Sequence, residues 1–198
     1  MCMDRETELD LVRRLRDGDE EAFDAVYEAF RAPLFTFLRR LGRRRDVAED
    51  LLDETWLRLV ASARSLRPDT RLAAWLFTVA RNLYASYCRS RLPREARTVE
   101  LVDLWPVADE GPSPVELVEA GELARRVERA LAALPLRHRE VLLLVAGAGL
   151  APAEAAAVCG VTPEALRQRL ARARAALADA LATPRSTPAT TSPRVVPT

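Results

Sequence analysis

Residues 151–170 read APAEAAAVCGVTPEALRQRL, and the second half of this stretch carries side chains suited to reading nucleic-acid bases. On a helix from Pro163 onward, Leu166, Leu170 and Ala173 share one face, and Glu164, Arg167, Gln168, Ala171 and Arg172 lie on the other. Arg and Gln can form bidentate pairs with guanine and adenine edges in the major groove. Arg169 and Arg174, on the flanks, are better placed for backbone phosphates. On a plain helical hairpin the same arginines would merely be solvated, so the turn chemistry decides between the two readings. Small Ala156 lets two helices cross closely, Gly160 supplies a left-handed turn, and Val161 plugs the core between the helices. Thr162 then caps the second helix, with Pro163 at its first position, where the missing amide costs nothing. These features together predict a helix-turn-helix.

Catalytic chemistry has no comparable footing. The chain has one His and three Cys, with no metal-ligand cluster, no phosphate-binding glycine loop and no nucleophile–base pair. No enzyme, cofactor or metal site is therefore expected. His138 reads as a residue that helps a helix start after Pro135. Cys2, Cys88 and Cys159 are odd in number and scattered, which fits a reducing compartment. Residues 1–10 are acidic without an apolar core, and no run has the length of a membrane span, so the reading is a cytoplasmic chain without membrane insertion.

The elements that must position these residues are helical. Of 198 residues, 49% are hydrophobic, 30% are charged and only 7 are Gly, and Ala, Leu, Arg and Glu are strong helix formers. Apolar residues return at helical spacing through Leu11, Leu15, Phe23, Val26, Tyr27 and Phe30. Gly18 and Gly42 are expected at turns. Asp46 is expected to cap a helix running to about Ala63, and a further helix should follow the turn-prone 67–70, spanning about 71–90. Prolines and acidic residues break the pattern between Pro93 and Pro114, and periodicity returns from about Val115 to Ala182. The expected fold is all-α: a helical domain over 1–92, a flexible acidic linker over 93–117, a second helical domain over 118–182 and a Pro/Thr-rich disordered tail over 183–198.

The net charge of +1 says little, but its distribution is uneven. Arg81, Arg89, Arg91, Arg94 and Arg97 face a single acid, Glu95, and the next stretch, up to Glu122, carries acids alone. Sign blocks of this kind suit separate surfaces with separate partners, or simply solvated faces. Every Lys/Arg position is Arg, which suits phosphate forks and base edges but would equally follow from a GC-rich genome.

In this order, the motifs resemble the ECF branch of the sigma-70 family over nearly the whole chain apart from the tail. The segment DVAEDLLDETWLRL (46–59) is similar to the family's core-binding helix. RLAAWLFTVARNLYASYCRSR (71–91) is similar to its minus-10 recognition helix, and 130–181, with LPLRHREV and the helix-turn-helix, to its minus-35 domain. The resemblance implies a promoter-specificity subunit whose partners are core RNA polymerase, through the β′ clamp and β flap, promoter DNA and an anti-sigma factor. It places Asp50, Asp53, Glu54 and Leu57 on the polymerase-facing ridge, with Leu52, Thr55 and Leu59 turned inward; a merely solvated acidic face is the alternative. It assigns minus-10 DNA to Arg81, Asn82, Ser86 and Arg89, with Asn82 where a flipped base is read. Rings and Arg together suit single-stranded DNA, but Trp75, Phe77 and Tyr87 are expected in the core. The acidic linker resembles the segment that the family threads through polymerase. Ala155 and Cys159 are smaller than the family's usual aliphatics, and Pro152 replaces a common aromatic, so a minus-35 domain that is loosely packed or reads DNA weakly is expected. Two other readings stay open. An operator-binding regulator leaves the helices from 46 and 71 without a role, and a helical adaptor would show no salt-dependent DNA binding.

Overall fold

The computed structural model describes residues 3–91 and 121–182, and every regular element among them is helical. The expected linker and tail lie outside the described residues. Helix α1 (Arg5–Asp17) starts at Asp4, whose carboxylate accepts from the Thr7 amide at 2.9 Å, and stops at Gly18 with φ of 82°. Helix α2 (Glu20–Gly42) is capped by Asp19, which accepts from the Glu21 and Ala22 amides. The Arg14 guanidinium, 2.6 Å from the same carboxylate, holds Asp19 below the usual carboxylate range. Helix α3 (Arg45–Ser62) runs into a 3-10 turn, Ala63–Ser65, and α4 (Leu72–Arg91) completes the first block.

Two local expectations are corrected. Gly42 is the last residue of α2, and the left-handed turn falls on Arg43, with φ of 58°. Glycine serves at 42 because a Cβ there would lie 2.7 Å from Cε2 of Tyr84, so α4 could not approach as it does. Asp46 is not the cap of α3: Arg44 occupies that position without a side-chain cap bond, and Asp46 sits in the first turn, paired with Arg44.

The second block consists of α5 (Glu122–Ala133), α6 (Leu136–Leu142) widening into a π turn (Leu143–Gly147), α7 (Pro152–Cys159) and α8 (Pro163–Ala182). Arg139, 8% exposed, ties its start together by donating to the carbonyls of Leu131, Ala132 and Leu134. The π turn is closed by Ala148 N–H to Leu143 O at 2.8 Å.

Each block buries its apolar stripe inward. Phe37 of α2 meets Phe77 of α4 edge to face at 5.3 Å, and Leu144 of the π turn and Leu166 of α8 are fully buried. The blocks also pack on each other, α4 against α7 and α2 against the π turn, so that their buried side chains form one continuous cluster.

Candidate nucleic-acid and partner interfaces

The helix-turn-helix forms as its residues dictate. Glu154 reaches back to the Ala151 amide at 3.0 Å, which secures the start of α7 where Pro152 has no amide to offer. Gly160 ends α7 with φ of 65°, the Val161 amide donates to Ala156 O at 3.0 Å, and Thr162 Oγ1 accepts from the Ala165 amide at 3.2 Å. On α8, Leu166, Leu170 and Ala173 are buried. Glu164, Arg167, Gln168, Ala171, Arg172 and Arg174 are exposed, and Arg169 is half-buried. Arg167 pairs with Glu164 across one turn, a surface contact of the kind that a nucleic acid displaces at small cost. Ala155 and Cys159 are buried between these helices, and burial, with Glu140 nearby, pushes the Cys159 thiol up to about 12, where it is unreactive.

Helix α4 presents a second surface. Asn82 and Ser86 are exposed, and half-buried Arg89 donates to Ser86 Oγ at 3.0 Å. The aromatic residues divide. Phe77 and Tyr84 are core, whereas Trp75 and Tyr87, expected inside, are only half-buried. Trp75 lines a groove beside α7, and Tyr87 lies 6.4 Å from Tyr84 with the Arg91 guanidinium 4.5 Å from its ring centroid. The remaining expected DNA group, Arg81, is turned toward the second block, its Nε 2.8 Å from Glu140 Oε1.

The start of α4 is held by a residue that sequence reasoning missed. Glu8 of α1, 6% exposed, accepts from the Leu72 amide at 2.7 Å and also pairs with Arg5 and Arg71. It acts as a helix cap delivered from another element. The signal in the sequence was its helical spacing from Leu11 and Val12, at i+3 and i+4, and it named no partner.

On α3, Leu52, Thr55 and Leu59 face inward, with the Thr55 hydroxyl donating to Leu51 O at 2.7 Å. Asp50 and Asp53 are exposed, Glu54 holds Arg58 at 2.7 Å, and Leu57 is 64% exposed. Val60, 60% exposed and one turn beyond Leu57, extends this ridge and was also missed; its i+3 spacing from Leu57 was the signal. Two bare aliphatics bordered by carboxylates make a surface suited to a basic, partly apolar partner.

Residues 26–92 match Sigma-70 region 2, and residues 124–177 match Sigma-70, region 4. The ECF RNA polymerase sigma factor EcfG of Rhodopseudomonas palustris is 36% identical over 146 residues, covering 73% of this chain and 76% of the relative. The chain belongs to the ECF sigma factors of RNA polymerase. This sigma factor is also 32% identical over 161 residues to SigM of Mycobacterium tuberculosis, covering 81% of this chain and 78% of SigM. Its structure resembles that of CnrH in complex with the cytosolic domain of CnrY, with a TM-score of 0.65, 27% identity, and coverage of 88% of this chain and 97% of that one. It also resembles RpoE in complex with the anti-sigma factor NepR from Bartonella quintana, with a TM-score of 0.62, 30% identity, and coverage of 84% and 98%. As a sigma factor it directs promoter recognition in transcription initiation. The region 2 match contains α3 and α4, the region 4 match contains the helix-turn-helix, and α1 lies outside both. Among the described residues no helix is long and apolar enough to cross a membrane.

Proposed function

We propose that this sigma factor divides its work among three surfaces: α8 for the minus-35 element, α4 for the minus-10 element and α3 for core polymerase. Arg167, Gln168 and Arg172, with Glu164 and Ala171 beside them, face base edges in the major groove, while Arg169 and Arg174 hold phosphates. Asn82, Ser86, Arg89 and, once freed, Arg81 hold the single-stranded minus-10 segment. Asp50, Asp53, Glu54, Leu57 and Val60 dock on the β′ clamp, and the second block meets the β flap. The supporting observation is the α8 face: its polar side chains stand in solvent opposite a buried Leu166–Leu170–Ala173 stripe, inside a region 4 match.

On this reading the chain works in the cytoplasm beside polymerase and contributes binding free energy but no catalytic step. CnrH is found in complex with the cytosolic domain of CnrY and RpoE in complex with the anti-sigma factor NepR, and an anti-sigma factor is the corresponding partner here. The test is run-off transcription by purified core polymerase, with and without the protein, on a genomic promoter library. Added transcripts that share paired upstream elements are expected. None from a folded, anti-sigma-free sample that also fails to retain core would overturn the reading and favour the operator-binding regulator.

A further inference from the structure

We propose, on the reading of α8 as the minus-35 helix, that Glu164 is a specificity-determining residue of that helix, its carboxylate selecting a cytosine beside the guanine taken by Arg167. Glu164 is the second residue of α8, in the turn opened by Thr162 and Pro163, and it is the one acid among the residues assigned to minus-35 DNA. Its side chain is 68% exposed, that of Arg167 is 66% exposed, and the two pair across one helical turn. Both stand at the end of α8 that a helix-turn-helix presents to base edges.

An acid on this face meets a penalty that an arginine does not. DNA phosphates repel it, and they draw Arg167 away from it at small cost, since the pair is solvated. At a random site Glu164 is then left facing acceptors with no donor to meet. A base that donates restores the balance. The major groove offers two such groups, the N4 amine of cytosine and the N6 amine of adenine, against the acceptors of guanine and thymine. The adenine amine lies between two acceptors, its own N7 and thymine O4, whereas the cytosine amine has an acceptor on one side alone, guanine O6. A carboxylate only accepts, so it favours cytosine.

The spacing suits neighbouring contacts. Residues three apart are separated by about 4.5 Å along a helix, close to the roughly 3.4 Å between stacked base pairs. Released from Glu164, the Arg167 guanidinium presents a two-pronged fork to guanine O6 and N7. Ala171, exposed one turn beyond Arg167, is too short to compete for either base. The competing role for Glu164 is local, because an acid in the first turn favours the positive end of the helix dipole. That role acts equally on every DNA sequence, and the selective role does not.

The experiment uses the full chain with core polymerase. A promoter recovered from the run-off library is randomised over its upstream element, and transcripts from the pool are sequenced for the parent, Glu164→Gln, Glu164→Ala and Arg167→Ala. The parent should enrich one cytosine about tenfold, next to the guanine whose enrichment Arg167→Ala abolishes. Glu164→Gln should move the preference at that position from cytosine to adenine, since an amide pairs with both N6 and N7. Glu164→Ala should leave the position without preference and should raise affinity for random-sequence duplex about two- to fivefold in fluorescence anisotropy, because one repelling charge is gone. All these positions are exposed, so thermal melts should stay near the parent. Unchanged enrichment in both Glu164 variants, or a uniform loss at every sequence with a lower Tm, would overturn the role of Glu164 while the α8 reading stands. A parent that enriches no base along the upstream element, with Arg167→Ala indistinguishable from it, would overturn the α8 reading itself, and the role of Glu164 with it.

Discussion

Glu8→Ala tests whether α1, outside both family matches, holds the start of α4 in place. The carboxylate takes the Leu72 amide at 2.7 Å, while Arg5, 2.6 Å from its other oxygen, also donates to Asp69 O at 2.8 Å and Thr70 O at 3.2 Å. Removing it leaves a buried amide without an acceptor, at about 1–3 kcal/mol. The two Arg pairs are partly solvated and add about 0–1 kcal/mol. A total of about 1–4 kcal/mol corresponds to a fall of roughly 2–16 °C in Tm for a chain of this size. Far-UV circular dichroism during thermal and urea unfolding measures it. Glu8→Gln keeps an oxygen acceptor and loses only charge, so it should lie nearer the parent. A Glu8→Ala chain within about 0.5 kcal/mol of the parent would refute the capping argument, and a Gln variant as unstable as the Ala variant would transfer the effect from the cap to the ion pairs.

Gly42→Ala should destabilise by about 1–3 kcal/mol despite the better helix propensity of Ala, because the new Cβ drives into the Tyr84 ring; chemical denaturation reads this directly. Stability should fall as pH rises above about 9. Burial raises the Cys159 thiol to about 12 and also raises Cys88, so the folded chain retains protons that the unfolded chain has released; melts across pH 8–11, compared with Cys159→Ala, check the slope. Leu57→Ala should weaken core polymerase binding by about tenfold with little change in Tm, since Leu57 is exposed, and a titration against core enzyme measures it. Arg174→Ala should lower the salt slope of minus-35 DNA binding by about one, whereas Arg167→Ala should relax base preference, as fluorescence titrations on a duplex library would show.

The helices and the face each one buries were legible because their causes are short-range. The period of Leu166, Leu170 and Ala173, the left-handed need met by Gly160 and the hydroxyl of Thr162 all act within a few residues. The exposed members of the candidate surfaces, from Asp53 and Leu57 to Arg167 and Arg172, follow from the same periods. Helix starts were less certain where no side chain caps them, as at Arg44, since nothing local then marks the boundary.

Contacts between elements were not legible in this way. Pattern reasoning put Trp75 and Tyr87 in the core because aromatic spacing resembles a buried stripe, but how far a ring is covered depends on which helix arrives opposite it. Gly42 looked like a turn until Tyr84, on another helix, was placed against it. By itself the sequence determined an all-helical chain and a helix-turn-helix, because periodicity, capping and turn chemistry are encoded residue by residue, while the three motifs in order were read from resemblance to the family. Only the tertiary structure decided that Glu8 caps α4 across 64 residues and that Glu140 holds Arg81 across 59. A charge carries no mark of its partner, and folding selects that partner by bringing distant helices within hydrogen-bond reach.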